Sequence, residues 1–135
     1  MSATAVCDRP VAQATLGRAE CIFRSALAYF YERLIQAWER IQAGRASTRE
    51  EKGHPLLATV HAVRITVEAV DLIFGLAAKT GIYRRSPLEH CFWAVQTLRQ
   101  HGSVSESHYQ TVGRVLLGLE PHFPLTIFGP VADWE

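Results

Sequence analysis

The stretch from Ser86 to Ser105 gathers the side chains best suited to chemistry. Ser86-Pro87-Leu88-Glu89 opens it and Gln100-His101-Gly102 closes it. His101 falls at the C-terminal end of the helix that these signals bracket. A helix dipole favours a protonated imidazole at that end, and imidazole gives and takes a proton near neutrality. General acid/base catalysis is one use of such a residue. Bonding to the last carbonyls of the helix is the other. Upstream, His61, Arg64, Glu68 and Asp71 follow one another at three- and four-residue spacing, so they share one stripe of a helix. Charges on an otherwise apolar helix need partners. The stripe reads either as an ion-pair ladder or as the polar wall of a cavity. In the second case Glu68 or Asp71 would orient His101 or a substrate hydroxyl. Trp93 and Tyr83 suit stacking on an aromatic ligand, or an ordinary core or interface. Arg84, beside Arg85, suits a carboxylate or phosphate, or plain solvation.

Other chemistries lack their residues. The six His show no paired spacing with carboxylates. Glu51-x-x-His54 occurs once, across Gly53, whereas a di-iron bundle needs two such motifs on sound helices. No metal site is expected. No Gly-rich phosphate loop, nucleophile elbow or Cys-x-x-Cys occurs.

The elements that must position these residues are helices. Leu16, Phe23, Phe30 and Ala37, with Leu27, Leu34 and Ile41 between them, predict an apolar seam on a helix from about 10 to 43, which Gly44 ends. Ser47/Glu50 and Thr48/Glu51 both have capping-box spacing, and Pro55 either begins or kinks the helix that follows. Its seam is Leu56, Val60, Val63, Val67, Val70, Phe74 and Ala77, with Leu57, Ile65, Leu72 and Ile73 outside it. A helix apolar on so many sides is central. Ser86, Pro87 and Glu89 start a third helix with Leu88, Cys91, Phe92, Val95 and Leu98 inward, stopped by Gly102. Ser103 or Ser105 caps a fourth, carrying Tyr109, Val112, Leu116 and Leu119. No strand alternation is visible. The expectation is all-α: a lead over 1–9, a helical bundle over 10–120 and a C-terminal arm over 121–135.

Composition narrows the setting. A chain of 135 residues is one domain. The net charge of +1 and the scattered basic residues argue against a nucleic-acid partner. The most apolar window, 56–78, contains His61, Arg64, Glu68 and Asp71, so no membrane span is expected. The N-terminal residues do not form a secretory signal, and three distant cysteines suit a reduced, cytoplasmic setting.

Taken in order, Glu68-x-x-Asp71-Leu72, Ile82-Tyr83-Arg84, Ser86-Pro87-Leu88, Cys91-Phe92, Gln100-His101 and Gly113-Arg114-Val115-Leu116-Leu117-Gly118 form a pattern over residues from about 10 to 124. It resembles the C-terminal helical domain of the acyl-CoA dehydrogenase superfamily, in the branch of flavin-dependent monooxygenases that act on aromatic substrates. The resemblance implies an up-and-down bundle packed against a flavin. It also implies preceding helical and β-domains and oligomers formed through these helices. The match begins at what looks like the second helix of the family's bundle. His101 matches the His that lies near the reacting flavin position in the monooxygenases. Three departures accompany it. Ala78-Lys79 stands for a Gly pair, Trp93-Ala94 for an Arg-Asp pair, and Gln96 for a His. The resemblance therefore implies a kept fold with an altered flavin side.

These readings give a first expectation: an enzyme without flavin that works on a small aromatic or polyketide-like metabolite. His101 would be its acid/base group, Glu68 and Asp71 would assist, and Trp93, Tyr83, Arg64, His61, Gln96 and Arg84 would line the pocket. The alternatives are a non-catalytic accessory module of a flavoprotein, and an FAD or FMN site formed only in an oligomer. A homodimer is expected, each copy covering the apolar face left by the absent helix.

Overall fold

In this computed structural model residues 5–80 and 87–125 are described. All the long elements are helices: α1 (Pro10–Gln42), α2 (Arg49–Thr80), α3 (Pro87–Leu98) and α4 (Ser107–Leu116), with short 3-10 turns at Val6–Asp8 and Gly102–Val104. The packing follows from a few cross-helix contacts. Arg40 meets Glu51 and Tyr29 meets His61, so α1 and α2 run antiparallel. Phe74 stacks on Phe92 and Gln96 bonds Asp71, so α3 runs back along the end of α2. Arg64 pairs with Glu106, and Gly53 lies against Val112, so α4 continues in the direction of α3 along the first half of α2. The described residues form three rods, up, down and up. The third rod is broken between α3 and α4.

The seven-residue period predicted for α1 is present, and Ala37 of the predicted seam is buried, but over the first half the register differs from the expectation. The buried positions are Ala12, Ala19 and Ala26, with Ala37 further on. Leu16, Leu34 and Ile41, assigned above to the seam, are exposed. Alanines have almost no side chain to hold two backbones apart, so a long hairpin closes most tightly along them. Phe23, Leu27 and Phe30 flank the contact, half-buried. α2 is central as expected, with Ala58, Val60, Val67 and Ala69 buried and neighbours on three sides. The outer face of α1 leaves Tyr31, Ile35 and Trp38 exposed.

Of the two possible capping boxes, Thr48/Glu51 forms. The Glu51 N–H donates to Thr48 Oγ1 (3.2 Å), and the Thr48 N–H donates to Glu51 Oε2 (3.0 Å). Pro55 neither begins α2 nor breaks it. Proline has no N–H, so the carbonyl four residues earlier, that of Glu51, loses its helical partner. The guanidinium of Arg40 supplies the replacement, with Nη2 donating to the Glu51 carbonyl at 3.1 Å. The next residue but one, Gly53, is buried, and only a glycine fits there, because a Cβ would lie 2.8 Å from Val112 Cγ1. Leu56, Val112 and Leu125 share one buried cluster, so the chain after α4 packs back onto the start of α2. The Arg49–Glu120 ion pair (2.7 Å) sits beside it. Lys52 in the same region is only 1% exposed, and burial lowers its pKa.

Two stability outcomes follow. Gly→Ala inside a helix normally gains about 1 kcal/mol. Gly53→Ala is expected to lose about 1–3 kcal/mol instead, because fully buried, β-branched Val112 cannot turn aside. Val112→Ala should lose less in the Gly53→Ala background than in wild type, a coupling that urea denaturation of the four proteins measures. Arg40→Met should cost about 1–3 kcal/mol by leaving the Glu51 carbonyl unsatisfied. An unchanged urea midpoint would show that the carbonyl has another donor.

Candidate functional site

The break in the third rod builds a cleft. α3 ends at Leu98, one turn earlier than the sequence signals suggested. The N–H groups of Gln100 and His101 then reach back only three residues, to Thr97 and Leu98. His101 itself leaves the helical region, with φ −69° and ψ 136°. The reason is local. Its ring Nδ1 accepts the Ser103 N–H at 3.2 Å and lies 2.7 Å from Ser103 Oγ, so His101 caps the next turn, Gly102–Val104. Val104 is buried, and His108 Nε2 lies 3.1 Å from the Gly102 carbonyl, which ties the break to α4.

The result is an open cleft of about 580 Å³ between the break and α2. Val63, Arg64 and Val67 form its α2 side, and Arg99, Gln100, His101, Gly102, Val104, Ser105 and Glu106 form the other. Because a backbone N–H can only donate, Nδ1 of His101 is the acceptor nitrogen, and the neutral ring carries its proton on Nε2. Arg64 and Glu106 form an ion pair beside it, the side chains 48% and 72% exposed. Arg99 has no ion-pair partner among the described residues. Tyr109 adjoins the same pair. Burial raises its pKa first of all; Arg64 pulls the other way, and Glu106 and Tyr29 add to the rise. Its phenol is therefore neutral through the neutral range. The cleft combines an apolar patch, an imidazole N–H and two guanidinium groups. That combination can hold a small apolar molecule bearing an oxyanion, and can exchange a proton with it.

The candidate residues are sorted differently from the single wall that the stripe suggested. His61 packs edge-on against Tyr29, with ring centroids 6.2 Å apart. Arg64 alone of the four lines the cleft. Asp71 accepts a hydrogen bond from Gln96 Nε2 (3.1 Å) on α3. Glu68 is exposed and has no partner among the described residues. The stripe spans more than two turns of α2, and over that length its neighbour changes from α1 to α4 to α3. The contact that orients His101 comes from Ser103, and neither Glu68 nor Asp71 lines its cleft. Trp93 is 61% exposed, its ring edge-on to Phe92, and with Gln96 it lines a separate shallow depression. Arg99 and Gln100 border both concavities. Tyr83 and Arg84 lie outside the described residues.

Arg99, Ser103, Glu106 and Tyr109 are the residues that sequence reasoning missed here. Ser103 and Tyr109 carry other signals in the sequence, a helix cap and a position on the fourth helix; Arg99 and Glu106 carry none. Among the described residues no group of three or more His, Cys, Asp or Glu could hold a metal ion, and no helix is long and apolar enough to cross a membrane.

Residues 1–106 match the family model described as acyl-CoA dehydrogenase, C-terminal domain. The chain belongs to this family. Its curated relatives include an indole-3-acetate monooxygenase of Pseudomonas putida, 36% identical over 119 residues, covering 88% of this chain and 31% of that protein. A second indole-3-acetate monooxygenase, of Acinetobacter baumannii, is 30% identical over 86% of this chain and 30% of its own length. A pigment production hydroxylase of Rhodococcus erythropolis is 25% identical over 90% and 31%. The chain thus spans about a third of the length of the relatives it matches.

The ring of His101 bonds only within its own turn, to Ser103, and is exposed. His101→Ala is expected to cost about 1 kcal/mol or less, the order of one lost cap, and to shift the melting temperature by no more than about 5 °C. Loss of the helical circular dichroism signal would show that the ring supports the fold.

Proposed function

We propose that this chain binds a small aromatic carboxylate in the cleft at the α3–α4 break and takes part in a tailoring step on aromatic metabolites. His101 is its proton-handling group. The observation that carries this reading is the meeting of His101 with Arg64 and Arg99 over Val63 and Val67. A guanidinium grips a carboxylate through parallel N–H groups, and the valines take the ring face. The names of two relatives specify such a molecule, an indole ring bearing an acetate.

The chemistry of His101 follows from its anchoring. In the neutral form Nε2–H is a donor for a ligand oxygen. When the ring takes a second proton, Nδ1 becomes a donor, and Ser103 Oγ can turn from donor to acceptor at the same 2.7 Å. Protonation at Nδ1 gives up the Ser103 N–H, and the Ser103 hydroxyl is the group that receives the new N–H.

A flavin, which the family resemblance implies, fits this cleft poorly. The lining offers its three-ring system valines and no Phe, Tyr or Trp, an apolar patch that suits a smaller ring. Trp93, the nearest such residue on α3, lines the other depression. The reading is therefore of a chain that binds no flavin by itself, and no step here passes through one.

Calorimetric titration of indole-3-acetate into the purified chain tests the proposal. Binding is expected, with the protein colourless. Arg99→Gln should weaken it roughly tenfold, the order of one charged hydrogen bond. Heat of binding that is absent at millimolar ligand, or insensitive to Arg99, would refute it. So would a stoichiometric flavin spectrum in the purified protein.

A further inference from the structure

We infer that Glu106 is an internal carboxylate that occupies the anion position on Arg64, and that a ligand carboxylate entering the cleft displaces it. This rests on the reading of the cleft as a site for aromatic carboxylates. It adds a residue that sets which ligands bind and how tightly.

Both members of the pair line the cleft, Arg64 from α2 and Glu106 from the end of the break, so the ion pair spans the space a ligand would enter. A ligand carboxylate and the Glu106 carboxylate present the same two oxygens to the same guanidinium. They compete, and the outcome depends on the strength of the internal pair. Both side chains are about half or more exposed, 48% for Arg64 and 72% for Glu106. Water competes for both groups and salt screens them, so such pairs are weak. A buried pair would be a permanent strut. This one is weak enough to yield to a carboxylate that also gains apolar contact with Val63 and Val67.

Glu106 also has a place to go. It stands at the N-cap position of α4, yet its side chain makes no capping bond there. The first N–H groups of α4 are already taken, that of Ser107 by Ser105 Oγ at 3.3 Å and that of His108 by the Ser105 carbonyl at 3.2 Å, but the positive end of the helix still favours a negative charge. A Glu106 side chain released from Arg64 keeps that stabilisation through rotation of its own bonds. The backbone beneath it stays fixed, because Val112 is locked against Gly53 one to two turns further along. The exchange therefore needs no movement of α4. A neutral aromatic ligand gains nothing from displacing Glu106, so the pair acts as a filter for carboxylates.

Indole-3-acetate and its uncharged amide can be titrated into the wild-type chain, Glu106→Gln and Glu39→Gln. The last variant removes the same charge from an exposed position on α1. Glu106→Gln is expected to bind the acetate about threefold more tightly than wild type, the order set by an exposed ion pair. It should bind the amide as wild type does, and Glu39→Gln should match wild type for both. Equal or weaker acetate binding by Glu106→Gln, with wild type binding normally, overturns the displacement and leaves the cleft assignment standing. An equal gain in Glu39→Gln overturns it too, since net charge then suffices. Acetate bound by none of the three overturns the cleft assignment and this inference with it.

Discussion

The approach of α4 to α2 at Gly53 and Val112 is the constraint on which the rest depends. A methyl group at position 53 would intrude to 2.8 Å on a side chain that is itself fully buried. The missing Cβ sets how deeply α4 seats against α2. The local turn from His101 to Val104 carries the chain from α3 to that seat. The cleft is the space left by this detour. Its chemistry is made largely by residues of that turn, set against Arg64 on the central rod.

Much of the architecture was legible from local signals. Gly44 ends α1 with φ +66°, and Thr48 and Glu51 make a reciprocal cap, as their spacing suggested. The apolar breadth of α2 announced a central helix, and the order of motifs announced the family. The register of α1 was not legible. Hydrophobicity favours Leu16 over Ala12, whereas close packing of two long helices favours the smaller residue, and geometry prevailed. The passage of α2 through Pro55 was equally hidden, because its compensation comes from Arg40 on another helix. The site was half legible. His101 stood out by type and position. Its partners did not, because Ser103 acts through a turn and Arg99 and Glu106 become neighbours of Arg64 only once the third rod breaks.

The charges around the cleft show why a stripe on a helical wheel is a poor guide to a site. His61, Arg64 and Asp71 share a face of α2, yet each answers to a different helix. The electrostatic unit is a horizontal slice through the bundle, comprising Tyr29, Arg64, Glu106 and Tyr109, rather than a line along one helix. Within that slice each ionised group has an opposite charge or a neutral phenol beside it. The charged wall is thereby tolerated against an otherwise apolar helix.

The bond from Arg40 to the Glu51 carbonyl makes the start of one helix depend on another. An isolated peptide spanning 49–60 would hold a proline in its second turn with an orphaned carbonyl ahead of it, a poor nucleus for a helix. The donor that repairs it lies 11 residues back, on α1. In the folded chain the first turn of α2 is therefore held by α1 as well as by its own cap, so a change at Arg40 is felt two residues from Gly53, where α4 seats.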